Sequence, residues 1–120
     1  MVSTTYITST KSITVTSTSA DASADLIYVV PDYYDSTVDM IIITNGGTSS
    51  AKITLQLFHK DDNQYHNIIK SKNISGNTAL NVLDASRMHL HAGDKILAYK
   101  DSGTFDVTLS ARQLYNPSRA

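Results

Sequence analysis

Apolar and polar side chains alternate along much of this 120-residue chain with a period of two, the spacing of a strand that hides one face. Ala51 to His59 shows it most cleanly: Ile53, Leu55 and Leu57 point one way, and Thr54, Gln56 and Phe58 the other. Thr104 to Ala111 repeats the pattern, with Phe105, Val107 and Leu109 on a shared face. Shorter runs cover Leu26 to Val30, Thr37 to Thr44, Tyr65 to Ile69, Ala79 to Leu83 and Lys95 to Lys100, with Met88 and Leu90 leading into the last of these. Within Thr37 to Thr44, Val38, Met40 and Ile42 share one face while Ile41 and Ile43 take the other, which predicts a strand covered on both sides.

Turn-forming residues punctuate these runs. Pro31 stops the first, and Asp32-Tyr33-Tyr34-Asp35-Ser36 reads as a loop. Asn45-Gly46-Gly47-Thr48, Lys60-Asp61-Asp62-Asn63, Asn73 to Asn77, Ala92-Gly93-Asp94 and Asp101-Ser102-Gly103 follow as turns. No segment carries an apolar stripe of helical length, and Leu83 to Leu90 has room for a single helical turn. Short strands with turn signals roughly every 8–12 residues predict an all-β chain, a single β-sandwich of about seven or eight strands. Jelly-roll and immunoglobulin-like strand orders both remain open, because local periodicity does not encode the pairing of distant strands.

Residues 1–24 differ from the rest. They are rich in Ser and Thr, lack Gly and Pro, and offer few large apolar groups to offset their own ordering entropy. Ser12 to Thr16 nevertheless alternates, with Ile13 and Val15 as its apolar members. Two readings compete, a disordered tail and an extended N-terminal arm that becomes ordered by adding a strand to a neighbouring subunit. We favour the arm. The expected organisation is therefore an arm over 1–24, a sandwich over 25–115 and a C-terminal tail over 116–120.

Ten basic against eleven acidic residues leave a formal net charge of −1, so no electrostatic footprint for nucleic acid is present and none is expected as a partner. The absence of cysteine excludes disulfides and thiolate chemistry. The opening Met1 to Tyr6 shows neither a basic nor an apolar leader region, and apolar runs such as Met40 to Ile43 fall far short of a bilayer span. The expectation is a protein that is made where it folds, or exported by a route the sequence does not show, with no membrane partner.

Candidate chemistry is sparse. His89 and His91 project from one strand face, and His59 and His66 flank a turn, but nothing in the sequence brings the two pairs together as a metal site requires. No metal and no cofactor are expected. Ser and Thr are abundant without a strained nucleophile elbow, and Asp32/Asp35 and Asp61/Asp62 sit in polar turns where aspartate serves the backbone. The chain is expected not to be an enzyme. The tyrosines point elsewhere, since tyrosine buries contact area at low entropic cost and keeps a polar tip. Tyr33 and Tyr34, in the loop after Pro31, and Tyr6, Ile13 and Val15 in the arm are the expected partner contacts.

A longer pattern spans roughly residues 37–112. Ile43-Thr44-Asn45 leads through a glycine turn to the alternating Ile53-Thr54-Leu55-Gln56-Leu57, then to Leu90-His91-Ala92-Gly93-Asp94-Lys95-Ile96, and finally to Val107-Thr108-Leu109-Ser110. This order resembles small virion structural proteins of tailed bacteriophages. The resemblance implies a compact β-sandwich used many times in a virus particle, commonly as a trimer or another homo-oligomer. Such a protein would decorate and cement the capsid by bridging major capsid subunits, or sit in the tail. It also implies that Gly93 supplies the bend of a corner that Asp94 caps. The alternative is a tail or fibre component acting as a receptor- or glycan-binding module through Tyr33, Tyr34, Asp61 and Asn63.

Overall fold

The computed structural model describes residues 6–84 and 86–117, with side chains from residue 8 onward. Among the described residues, nine strands run in order β1 (Tyr6–Val15), β2 (Asp25–Val29), β3 (Tyr34–Asn45), β4 (Ala51–His59), β5 (Gln64–Ile74), β6 (Thr78–Asn81), β7 (Met88–His91), β8 (Lys95–Lys100) and β9 (Phe105–Tyr115), with a short 3-10 turn at Asp21–Ser23. The all-β sandwich expected from the alternation is present, with one strand more than the pattern announced.

The strands form two antiparallel sheets, one ordered β1-β9-β3-β6 with β7 also on β3, the other β2-β8-β4-β5. β6 pairs with Ile42–Asn45 of β3, and β7 with Asp35–Val38 of the same strand. These two short strands thus occupy one edge of β3 in succession and act as a single interrupted strand. The pairs then nest: β1 with β9, β2 with β8, β3 with β6 and β7, and β4 with β5. A long hairpin whose tip is the β4–β5 turn has been wrapped around itself, which is the jelly roll. Tertiary pairing thus decides between the two strand orders that the sequence left open.

The core lies between the sheets. Phe105, Val107, Leu109 and Ala111 of β9 are fully enclosed, and Ile41 and Ile43 of β3 meet Ile53 and Leu55 of β4 and Ile96 of β8 from across the gap. Each of these side chains other than that of Ala111 contributes about 1.5–3 kcal/mol by leaving water. One face assignment changes. A register shift between Val38 and Met40 inserts an extra residue, so Val38 joins Ile41 and Ile43 inside while Met40 and Ile42 stay half-buried outside. The bulge also aims Asp39 at Arg112, whose Nε donates to it at 2.8 Å, and at Arg87.

Polar ties hold the layers and turns. Tyr28, 2 % exposed, crosses from β2 to the other sheet: its hydroxyl shares a hydrogen bond with Ser36 at 2.9 Å and accepts one from Gln113 at 2.6 Å. Asn45 is fully buried and fully used, donating to the carbonyls of Ser49 and Ile74 while accepting from the Gly47 N–H. Gly76 packs so closely on the Gly47–Thr48 backbone that a Cβ there would stand 2.4 Å from the Thr48 carbonyl carbon.

Candidate interaction surfaces

The segment expected as an arm is, over its described part, a strand of this chain's own sheet. All ten residues of β1 pair with β9 without a register shift, from Tyr6 opposite Leu114 to Val15 opposite Phe105. The alternation of Ser and Thr with less polar residues suits an edge strand with one wet face, and that face makes a hydroxyl ladder with β9. Ser12 and Thr108 share a hydrogen bond at 3.0 Å, and Thr14 donates to Asp106 at 2.6 Å. From Ser9 on, the odd-numbered side chains take the inward side. Val15 is therefore a core residue, completely enclosed, and Ile13 is half-buried against the same core. Neither is free for the partner contact expected of it; they fill the sandwich because β9 lies beside them. The side chain of Tyr6 lies outside the described residues.

Residues 16–24 continue from β1 to the second sheet and are tied down there. The Asp25 carboxylate accepts the N–H groups of Thr16 and Ser17, the latter at 2.9 Å, and the Ser17 carbonyl accepts the Lys100 N–H at 3.0 Å. Asp21 and Gln56 bond reciprocally: the Asp21 N–H donates to the Gln56 amide oxygen, and the Gln56 amide nitrogen donates to the Asp21 carboxylate. Partial burial pushes the Asp25 carboxyl upward, but the Ser17 and Thr16 donors and the Lys100 charge outweigh it and hold Asp25 below the ordinary carboxylate range.

The tyrosine loop is a tight turn closed by the Tyr34 N–H donating to the Pro31 carbonyl at 3.2 Å. Tyr33 occupies its third position with φ 68°, a conformation that favours glycine, and still leaves 48 % of its surface exposed. Tyr34 begins β3, packs on the core and meets Tyr115 edge-on at 5.7 Å between ring centres. Tyr115 is itself 58 % exposed, and the next residue, Asn116, donates its N–H to the Tyr33 carbonyl. Of the two expected loop contacts, Tyr33 is presented to solvent and Tyr34 is only half so. Tyr115, at the end of β9, carries no local signal in the sequence of the neighbours it meets.

The Gly93-Asp94 corner gathers one end of the sandwich. Gly93 takes φ 87°, and the Asp94 N–H bonds back to the His91 carbonyl at 3.0 Å. The Asp94 side chain, 1 % exposed, accepts the His91 N–H at 2.9 Å and reaches across to the Lys60 N–H at 3.0 Å. Its own carbonyl accepts the Val30 N–H. One residue thus draws together the corner, the Lys60–Asn63 turn and the strand end leading to Tyr33. The Asp94 carboxylate also lies 3.6 Å from the His59 Nδ1, a buried ring nitrogen without a hydrogen-bond partner.

His59 and His66 do meet across the hairpin, their rings 6.4 Å apart, and His66 contacts Asp62 at 3.0 Å. Asp62 is held below the ordinary carboxylate range: desolvation raises it, but the His66 and Gln64 donors and the neighbouring imidazoles prevail. His89 and His91 lie on β7, opposite Thr37 and Asp35 of β3, and His89 is hydrogen-bonded to Thr37 at 3.1 Å. Among the described residues, no group of three or more His, Asp or Glu side chains is arranged to hold a metal ion. A shallow cleft of about 220 Å³ beside β7 is lined by Asp35, Thr37, His89, His91, Arg112 and Leu114, among others. No helix among the described residues is long and apolar enough to cross a membrane.

No protein-family model matches the chain, and no curated protein matches it. Among solved structures, the chain is similar to a chain in the structure of infectious bursal disease virus Gt strain, with a TM-score of 0.41 and 8% sequence identity. That alignment covers 98% of this chain and 34% of the viral one, so the chain spans about a third of the length of that relative.

Proposed function

We propose that the chain is a structural subunit of a virus particle, a decoration or cement protein that stabilises the shell by bridging major capsid subunits. The observation that carries an interaction role is Tyr33. A bulky side chain in a left-handed turn costs on the order of 1–3 kcal/mol, and such strain collects at sites of contact. Here the strain displays an exposed aromatic ring in a turn whose Tyr33 carbonyl holds Asn116, the neighbour in sequence of the exposed Tyr115, and tyrosine is among the residue types enriched at protein interfaces. The class of partner comes from the resemblance of residues 37–112 to small phage virion proteins. Jelly rolls serve as capsid modules among other uses, so the architecture is compatible without being specific. On this reading the chain catalyses no reaction.

Purified particles stripped of the protein and then reloaded provide the test. Tyr33→Gly relieves the left-handed strain, so the variant should fold at least as stably while its occupancy on particles falls several-fold. Unchanged occupancy, or absence of the native chain from particles, would refute the proposal.

A second reading is a tail or fibre module that binds a receptor or glycan. It is favoured by the way Asp94 brings the Lys60–Asn63 turn, with Asp61 and Asn63, to the same end as the strand leading to Tyr33. Reproducible binding on a glycan array, lost in Tyr33→Gly, selects this reading over the first.

A further inference from the structure

The sandwich has several strand edges, and they are not equally guarded. β2 has five residues and a bulge, while β6 and β7 have four each. β5 is long, but its register shifts twice against β4, Ser71 has φ 47°, and Lys70 and Lys72 stand exposed along it. Short length, bulges and lysines are the usual means of blunting an edge against added strands. β1 carries a single such guard, Lys11: it is the terminal strand of its sheet, ten residues long, with no proline and no register shift. Thr8, Thr10, Ser12 and Thr14 are all exposed along its wet face.

One charge interrupts this edge. Lys11 shares the inward parity of Ile13 and Val15 and stands opposite the core residue Leu109, yet it remains exposed because no strand lies beyond β1 among the described residues. An antiparallel strand added outside β1 would place one residue directly opposite Lys11 on the sandwich-facing side, partly covering both. A lysine or arginine there meets a like charge, an apolar residue strands the ammonium, and a carboxylate pairs with it.

We infer that the free edge of β1 docks an extended segment of another protein carrying an aspartate or glutamate opposite Lys11. A second copy of the chain is a poor occupant. A two-fold axis through the joined sheet keeps inward faces together, and the two longest registers, centred on Thr10 or Lys11, set the two lysines diagonal or opposite. A suitable foreign segment instead gains roughly eight to ten inter-strand hydrogen bonds, the number of an ordinary interface. The inference rests on the assembly reading only in taking the segment from a neighbouring virion protein.

The probes are two blocked decapeptides of alternating Thr and Val, one with a central Glu and one with a central Lys, titrated against the full chain by fluorescence anisotropy. The Glu peptide should bind about ten-fold tighter, and Lys11→Glu should reverse that order. Lys11→Gln should erase the preference. Lys11 is exposed, so both variants should keep the native circular dichroism spectrum. Amide exchange should slow at alternate β1 residues when the Glu peptide is bound. Absence of binding by either peptide, or a preference indifferent to Lys11, overturns the inference. So does a concentration-dependent dimer of the chain with protected β1 amides. Native occupancy on particles with no peptide binding sinks only this inference, whereas peptide binding by a chain absent from particles sinks only the capsid role.

Discussion

Replacing Asp94 with alanine tests whether one buried carboxylate organises an end of the sandwich. The substitution leaves the main-chain bonds of the corner intact, the Asp94 N–H to His91 and the Asp94 carbonyl to Val30. What it removes is the acceptor for two backbone donors, the His91 N–H at 2.9 Å and the Lys60 N–H at 3.0 Å. A hydrogen bond to a charged group is worth about 1.5–3 kcal/mol. Both donors are only partly buried, so water replaces some of the loss and the lower end applies to each. The expected cost is about 3 kcal/mol, a large share of the 5–15 kcal/mol typical of a domain. For a chain of this size that corresponds to a fall in Tm of about 12 °C. Asp94→Asn, which keeps one acceptor oxygen and turns its amide toward the second donor, should lose about 2 kcal/mol. Urea unfolding followed by circular dichroism gives both numbers, and amide exchange at Lys60 and His91 shows whether the loss is local. A cost below about 1 kcal/mol for the alanine variant, with both amides still protected, would show that Asp94 does not hold the corner.

Three further predictions follow from the same geometry. Tyr28→Phe should cost about 1–3 kcal/mol in chemical denaturation, because it leaves the buried Gln113 amide and Ser36 hydroxyl without their shared partner. Gly76→Ala should destabilise by about 1–3 kcal/mol, since the new methyl meets backbone rather than a movable side chain; a Tm equal to the native value would contradict it. Asp25→Asn concerns pH. The folded carboxyl lies below its ordinary value, so its contribution is complete above the unfolded value, near pH 4, and is lost as pH falls through the lowered folded value. The variant should therefore be less stable than the native chain at pH 7, and the gap should close below about pH 4. A gap that stays constant down to pH 2 would refute the assignment.

Much of the fold is legible residue by residue. The alternation in Ala51–His59 and from Phe105 onward gives strands and their inward faces directly, because a period of two is a local property of an extended chain. Asp94 is partly legible as well: a Gly-Asp corner announces the turn, though not the reach to Lys60. Other features leave no local trace. β5 continues through the polar Lys70-Ser71-Lys72-Asn73, because β4 supplies hydrogen-bond partners that no propensity encodes. The bulge at Asp39 shifts Val38 onto the face of Ile41, which a strict alternation cannot foresee.

The candidate contact residues divide along the same line. Tyr33 is exposed as its turn predicts, whereas Ile13 and Val15 belong to the core because a strand from the far end of the chain lies beside them. Lys11 stands out in the sequence only as a lone charge in a Ser/Thr run; its place on an open edge becomes visible once β9 defines which side is inward. The amino-acid order by itself therefore determined the all-β class, most of the turns and the core-facing sides of β4 and β9. The jelly-roll nesting, the enclosure of β1 and the open edge beyond it were decided by tertiary pairing. The physical reason is that side-chain period acts between neighbours in sequence, while the bonds that choose sheet order join residues as far apart as Tyr6 and Leu114.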